Sequence, residues 1–285
     1  MHYVISDIHG QITEFKNLLE KIDFDGIRDK MIIAGDVLDR GNYGIELIKY
    51  IEPYIETCSM KILMGNHEMF CLNYLDGKLD DFTYKLFGGA GTIKSLNKMT
   101  KESKENLYLF LKSLPIHEEI RTKYGETVVT HSGLSANCIT FNKDKTINVV
   151  KSIEAAADIN LYDFLLSDDI HRMEEYDLNR LDKFLIVGHV PVMNLNDDES
   201  NHIYRATGYM CIDTGASFVE KGGMTLKAKL CLTVPVSLLL LFMFITIENT
   251  MMRMIIIIMW LAKVIVFTRM KTIKVETNRE AYDGQ

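Results

Sequence analysis

Five short apolar runs in this chain each end on a side chain able to ligate a metal ion. Val4-Ile5-Ser6 leads into Asp7, Ile32-Ile33-Ala34 into Gly35-Asp36, and Ile62-Leu63-Met64 into Gly65-Asn66-His67. Farther along, Val128-Val129-Thr130 leads into His131 and Leu185-Ile186-Val187 into Gly188-His189. Together with His9 they supply six oxygen and nitrogen donors without a thiolate: Asp7, His9, Asp36, Asn66, His131 and His189. Such a set suits two hard-to-borderline divalent ions, with Mn the first choice and Fe or Zn the others. A carboxylate shared by two ions, about 3.5–4 Å apart, forms a clamp for in-line displacement at phosphorus. The ions acidify the attacking water and offset charge on the phosphoryl oxygens. A leaving alkoxide also needs a proton. His67 is placed to give it, and Asp39 to hold the His67 imidazole in a donating orientation. Arg40 offers a planar fork for non-bridging phosphate oxygens.

The apolar runs are the right length and composition for buried strands, and they fall at 3–6, 31–34, 61–64, 127–130, 184–187 and 210–212, with a last one at 226–232. Between the early strands the apolar spacing turns helical. Ile12, Phe15, Leu18, Leu19 and Ile22 recur at intervals of three and four, as a helix on a sheet requires. Segments 43–51, 67–75 and 101–114 read the same way, the last closed by Pro115. Strand and helix alternate in the first half and strands dominate the second, which predicts a layered α/β domain. In open α/β sheets ligands bind at the carboxyl ends of strands, where the six donors fall.

The 285 residues carry 47% apolar and 25% charged side chains, which argues against both disorder and a polytopic membrane protein. A net charge of −7, from 32 Lys+Arg and 39 Asp+Glu, argues against a nucleic-acid partner held by charge alone. The average hides a split. From residue 230 onward six Lys/Arg face four Asp/Glu in a strongly apolar stretch, so the first 229 residues carry −9 once that +2 is removed from −7. This predicts a catalytic domain over 1–232 and an apolar tail over 233–285. Residues 230–247 have no charge. Once 230–232 are given to the last strand, 234–247 would make a helix of about 21 Å, short of the ~30 Å hydrocarbon core. A membrane-associated hairpin through 233–267, a helix packed on the domain or a partner, and a tail foreign to the domain are the three readings. Five cysteines (Cys58, Cys71, Cys138, Cys211, Cys231) form no CxxC pair, and the expectation is reduced thiols in a cytoplasmic protein.

At these residues the chain resembles a known family. Ser-Asp-Ile-His-Gly at 6–10, Gly-Asp-Val-Leu-Asp-Arg-Gly at 35–41 and Gly-Asn-His-Glu at 65–68 are similar to the signature blocks of calcineurin-like metallophosphoesterases. Thr130-His131-Ser132-Gly133, Gly188-His189-Val190-Pro191 and Ile212-Asp213-Thr214-Gly215 resemble the later blocks, so the likeness spans 1–232. The Asp-Arg-Gly ending and Glu68 resemble the serine/threonine protein phosphatase branch of bacteria and phages. The resemblance implies a β-sandwich flanked by helices, an αββα fold, with a dinuclear metal site at one edge. It implies that Asp7 and His9 bind the first ion, that Asp36 bridges, and that Asn66, His131 and His189 complete the second. It further implies His67 paired with Asp39 as general acid, Arg40 on phosphate, and a phosphoserine or phosphothreonine substrate in proteins or another small phosphoester.

One departure bears on the substrate. Protein phosphatases of this family usually place a second phosphate-binding Arg just before Gly-Asn-His-Glu, where this chain has Met64. Diadenosine tetraphosphate hydrolases, a sister branch, also lack that Arg but commonly lack the Asp that Asp39 supplies here. Arg172, ahead of Arg121 and Arg205, is the candidate to replace the missing charge from another loop.

Each site residue alone has an ordinary explanation: Asn66 as a helix cap, Asp36 and Asp39 as turn formers, Arg40 as a surface ion pair, His131 and His189 as core histidines. What packing does not explain is their collection, in order, at five strand ends. His2, His117, His171 and His202 belong to no block and read as structural. Asp213 either orients a ligand histidine or makes the Asp-Thr-Gly turn. Gly88-Gly89-Ala90-Gly91 has no strand before it and no Lys-Ser/Thr after it, and reads as a turn rather than a nucleotide loop.

Overall fold

The computed structural model describes residues 1–216. The strand expected at 226–232, the boundary after 232, the tail 233–285 with its membrane reading, and Cys231 lie outside the described residues.

Two sheets carry the fold. β1 (His2–Ile5), β2 (Lys30–Ile33) and β3 (Met60–Ile62) form a parallel sheet in that order. β4 (His117–Thr122), β5 (Gly125–Thr130), β6 (Phe184–Val187), β7 (Tyr204–Ala206) and β8 (Tyr209–Cys211) form the second, ordered β4-β5-β6-β8-β7. Its centre, β5-β6-β8, is parallel, and β4 and β7 pair antiparallel at the two edges.

Strand alternation decides how the sheets pack. Val4, Ile32 and Leu63 from the first sheet meet Ile120, Val129, Ile186 and Met210 from the second in one apolar layer. Their strand neighbours Tyr3, Ile5, Met31, Ile33, Val128, Leu185 and Val187 point the other way, into a larger core shared with the helices. The sheets therefore lie face to face with helices outside, the layered α/β sandwich expected. At the rim the Lys61 ammonium donates to the Glu118 carboxylate at 2.6 Å, tying β3 to β4.

The outer helices follow from stripe and cap. α1 (Ile12–Lys21) buries Phe15, Leu18 and Leu19, and α2 (Gly44–Glu56) buries Ile45, Leu47, Ile48 and Ile51. α2 continues past Pro53, one turn beyond the expected end at residue 51. α3 (Asn66–Leu75) starts at the end of the third strand segment. α4 (Asp81–Leu86) is capped by Asp80, whose carboxylate accepts from Thr83 N at 2.8 Å, and α5 (Ala90–Leu96) follows the Gly88-Gly89 turn. α6 (Lys101–Lys112) is capped by Thr100 and buries Leu107 and Leu111. α7 (Val149–Leu165) and the one-turn α8 (Glu175–Leu178) were not legible as helices. In α7 the backbone leaves helical geometry at Asn160 (φ −158°, ψ 97°), whose side chain caps the next turn through Tyr162 N at 3.1 Å.

Candidate metal centre

Each predicted donor stands just past a strand: Asp7 and His9 after β1, Asp36 after β2, Asn66 after β3, His131 after β5 and His189 after β6. All are buried except His189, which is half-buried. The chain must turn sharply there, and six of the ten non-glycine residues with positive φ among the described residues are Asp7, His9, Asp36, Asp39, Arg40 and His189. Left-handed backbone of this kind is strained for side chains other than Asn and Asp, and it persists only where the surroundings over-determine it. Gly35 shows how close the approach is. At φ +84° a Cβ would sit 2.7 Å from His131 Nδ1 and 2.8 Å from Gly65 Cα, so only glycine lets the ends of β2, β3 and β5 meet.

The two sheets are joined at the site by hydrogen bonds from one strand end to another. His131 Nδ1 donates to the Ala34 carbonyl at 2.8 Å, and the His189 backbone N–H donates to Asp7 Oδ2 at 3.1 Å. His9 Nδ1 donates to the Leu38 carbonyl at 2.9 Å. In each imidazole whose Nδ1 proton is spent on a carbonyl, Nε2 faces the centre as a lone pair. His131 Nε2 looks at Asn66 Oδ1 at 2.8 Å and at Asp36 Oδ1 at 3.4 Å. His9 Nε2 stands 3.7 Å from Asp36 Oδ2.

These contacts test whether metal ions fit. Asp7 Oδ1 and His9 Nε2 are buried with no hydrogen-bond partner, a costly condition for polar atoms. Lone pairs of Asn66, Asp36, His131 and His189 converge on one another, with His189 Nδ1 2.9 Å from Asn66 Oδ1. Acceptors gathered this way repel unless a cation lies between them. Two groups meet the spacing of a metal site, His9-Asp36-His67 and Asp36-His131-His189, each with its ligating atoms within 4.8 Å of one another. Asp36 belongs to both, as the bridging position requires. Burial, then the Asp7 and Glu68 carboxylates, push Asp36 well above the usual carboxylate range, while burial holds His9 well below and His189 down to about 3. Crowded carboxylates and neutral imidazoles are the protonation pattern a divalent cation exploits. The donors fit two such ions.

The model of the calcineurin-like phosphoesterases matches residues 3–226. The chain belongs to that family. The chain is 28% identical over 192 residues to a symmetrical bis(5'-nucleosyl)-tetraphosphatase of Buchnera aphidicola, covering 64% of this chain and 62% of that protein. It is 29% identical over 145 residues to the asymmetrical bis(5'-nucleosyl)-tetraphosphatase PrpE of Bacillus subtilis, covering 48% and 59%. The matches therefore span about three-fifths of these curated relatives. Among solved structures, a cold-active protein-tyrosine phosphatase from a psychrophilic Shewanella shares its fold, with a TM-score of 0.50 at 17% identity over 78% of this chain and 73% of that one.

Around the donors, the chain builds a second set of contacts. His67 Nδ1 meets Asp39 Oδ2 at 2.9 Å with both side chains buried, and His67 Nε2 lies 3.9 Å from Asp36 Oδ2. Burial pushes the Asp39 carboxyl up to about 7, against the pull of Thr92, Tyr84 and Arg40. Arg40 sits on the exposed side of the same turn, its backbone N–H donating to the Gly88 carbonyl at 2.9 Å. Arg172 is mostly exposed, its guanidinium paired with Asp168 one turn earlier. Arg121 lies 3.7 Å from Glu126, and Arg205 donates to the Tyr124 hydroxyl at 2.8 Å.

Several ordinary readings are settled by these contacts. Asn66 is not the cap of α3: Gly65 occupies that position, and the Asn66 oxygen turns to the two histidines. Asp213 makes the turn, its Oδ1 accepting from Gly215 N at 2.9 Å. His171 is structural, its Nδ1 3.1 Å from the Tyr209 hydroxyl.

Residues without an assigned role complete the site. Glu68 is fully buried, and its carboxylate accepts four backbone N–H groups: Asp36 at 2.8 Å, Val37 at 2.9 Å, Leu38 at 3.0 Å and Gly65 at 3.1 Å. It holds the turn that presents Asp36. Its place in the Gly-Asn-His-Glu block was the available signal, but the residue type did not say what it would bind. Tyr84 and Thr92 reach Asp39 from α4 and α5, and no motif marks either one.

Proposed function

We propose that the chain is a metal-dependent phosphoesterase that hydrolyses dinucleoside tetraphosphates. The gathering of His9, His131 and His189 around Asp36, with Asp7 Oδ1 and His9 Nε2 left unpartnered, carries the reading of a metal-dependent hydrolase. The substrate rests on the names of the relatives, both bis(5'-nucleosyl)-tetraphosphatases, and on Met64, which leaves the second arginine of protein phosphatases unfilled. Met64 also favours this substrate over the phosphoprotein that the Asp-Arg-Gly block suggested.

In this reading Asp7, His9, Asp36, Asn66, His131 and His189 hold two divalent ions, with Mn the first to test. When bound, such ions acidify water and offset phosphoryl charge. Arg40 binds non-bridging phosphate oxygens with its fork, and Arg172 serves as a second phosphate arginine by leaving Asp168. His67 faces the leaving group with Nε2 while Asp39 holds Nδ1.

The phosphomonoester reading keeps one observation in its favour. A phosphate leaving group carries its own charge comfortably, whereas the alkoxide of serine needs an acid, and the His67–Asp39 pair is that acid fully assembled. The deciding experiment compares initial rates of the full chain with Mn on diadenosine tetraphosphate and on a phosphoserine peptide. The proposal expects the tetraphosphate to win by at least about tenfold in kcat/KM and chelator to abolish both rates. A preference for the peptide would transfer the assignment to the second reading. No turnover with Mn, Fe or Zn would remove both.

A further inference from the structure

Asp39 has two oxygens, and only one of them faces His67. Oδ2 meets His67 Nδ1 at 2.9 Å, while Oδ1 accepts from the Tyr84 hydroxyl at 2.8 Å and from the Thr92 hydroxyl at 2.5 Å. Tyr84, Thr92 and Asp39 are all buried. The two hydroxyls come from neighbouring short helices, α4 and α5, joined by the Gly88-Gly89 turn. That turn is fitted to its place. The ring of Tyr84 packs where a Cβ on Gly89 would lie, and a Cβ on Gly91 would sit 2.5 Å from the Gly41 carbonyl. Neither hydroxyl is needed to hold its helix: Tyr84 fills the core with its ring, 5.0 Å from that of Tyr74, and Thr92 sits within a helical turn.

We infer that Tyr84 and Thr92 are positioning residues of the hydrolytic reaction, which fix the Asp39 carboxylate so that His67 can protonate the leaving group. Two donors on Oδ1 set the plane of the carboxylate and leave Oδ2 aimed at His67 Nδ1. Without them the carboxylate can rotate, and the imidazole loses the partner that fixes its orientation and balances its charge. The step they serve is a hydrolysis. The oxygen of water bonds to phosphorus, and the bond from phosphorus to the leaving oxygen breaks with its electron pair going to that oxygen. The leaving oxygen takes the proton from His67 Nε2, the attacking water gives up a proton to solvent, and His67 is reprotonated from solvent. His67 enters the step protonated on both nitrogens and leaves it neutral, with its Nδ1–H hydrogen-bonded to Asp39 throughout.

This inference rests on the phosphoesterase reading of the site, and its consequence depends on the leaving group. An alkyl or phenyl oxygen departs poorly without a proton, whereas p-nitrophenolate departs readily. A positioning role for the acid therefore appears as selectivity between leaving groups, which a merely structural role cannot produce. The test compares full-length wild type with Tyr84→Phe, Thr92→Val, the double variant and Thr92→Ser. Each is assayed with saturating Mn on phenyl phosphate and p-nitrophenyl phosphate.

The expected result is a fall in kcat on phenyl phosphate of about tenfold for each single variant and about 100-fold for the double, with KM unmoved. On p-nitrophenyl phosphate the fall stays below about threefold, and Thr92→Ser recovers most of the Thr92→Val loss. Equal losses on both substrates would overturn the inference, as would no loss on phenyl phosphate, while leaving the phosphoesterase reading standing. Wild type inactive on both substrates with every divalent ion would instead remove that reading and the inference with it.

Discussion

The two sheets contribute to the site in different currencies. The three-stranded sheet supplies Asp7, His9, Asp36 and Asn66, and with Asp39 and Glu68 it holds most of the buried negative charge. The five-stranded sheet supplies the imidazoles His131 and His189. The first region also braces itself: Glu68 gathers four backbone N–H groups around Asp36, and Tyr84 and Thr92 hold Asp39. The second is braced by the first, since Ala34 accepts from His131 Nδ1 and Asp7 accepts from the His189 N–H. The charged half is thus preorganised, and the histidine half is positioned against it. Loss of a brace should cost more on the charged side than on the other.

The largest expected effect is at Asp36, shared by both candidate clusters. Asp36→Asn keeps the shape but removes the bridging charge, and turnover with Mn should fall at least about 1000-fold. His189→Asn serves as the comparison, because it touches one cluster, and it should lose less. Steady-state kinetics with a Mn titration reads both.

Glu68→Gln comes next. It replaces an acceptor of four N–H groups with an amide that can accept on one side only. Urea denaturation should show a loss of about 3 kcal/mol, and calorimetric Mn titration an affinity weaker by about 10–100-fold. A Glu68→Gln protein with full metal affinity would break the claim that the charged half is preorganised by its brace.

A pH effect belongs to the second region. Burial lowers the pKa of His171 to about 4, with Asp168 pulling it up and Arg172 down. The folded value lies below the unfolded one, so the unfolded chain binds the extra proton. This contribution to stability is complete above about pH 6.5 and declines as pH falls toward 4. By pH 5 the decline amounts to about 2 kcal/mol. Urea midpoints at pH 7 and pH 5 check it, and in His171→Gln this part of the decline should be missing.

The smallest expected effect marks the contrast. Ser132 is buried next to His131 and donates to the Phe164 carbonyl at 2.6 Å, holding the loop to α7 rather than to the site. Ser132→Ala should cost about 1 kcal/mol in stability and leave Mn affinity within about twofold. A loss of metal binding as large as that of Glu68→Gln would erase the difference between the two regions.

The same asymmetry governs how much could be read in the chain. The strand ends were legible because buried parallel strands are unbroken apolar runs and the residue after each run is polar. That reasoning located Asp7, Asp36, Asn66, His131 and His189. α1, α3 and α6 were legible through their apolar spacing. The edge strands were not. β4 reads His-Glu-Glu-Ile-Arg-Thr and buries Ile120 alone, so it has no run to detect, and β7 is three residues long. α7 was hidden by its break at Asn160, which shifts the apolar phase between Ile153 and Phe164. Tyr84 and Thr92 were invisible for another reason. A hydroxyl on a helix has no chemistry by type, and its meaning here depends on the turn that brings Asp39 within 2.8 Å and 2.5 Å of the two oxygens.

In the proposed reaction the strand ends hold two divalent ions through Asp36 and use them for hydrolysis. The most direct measurement is the number of Mn ions bound per full-length chain, by calorimetry with elemental analysis, taken alongside hydrolysis of diadenosine tetraphosphate. Two ions per chain are expected, with turnover that rises with the second and loss of both in Asp36→Asn. Turnover without bound metal, or two ions retained in Asp36→Asn, would contradict that expectation.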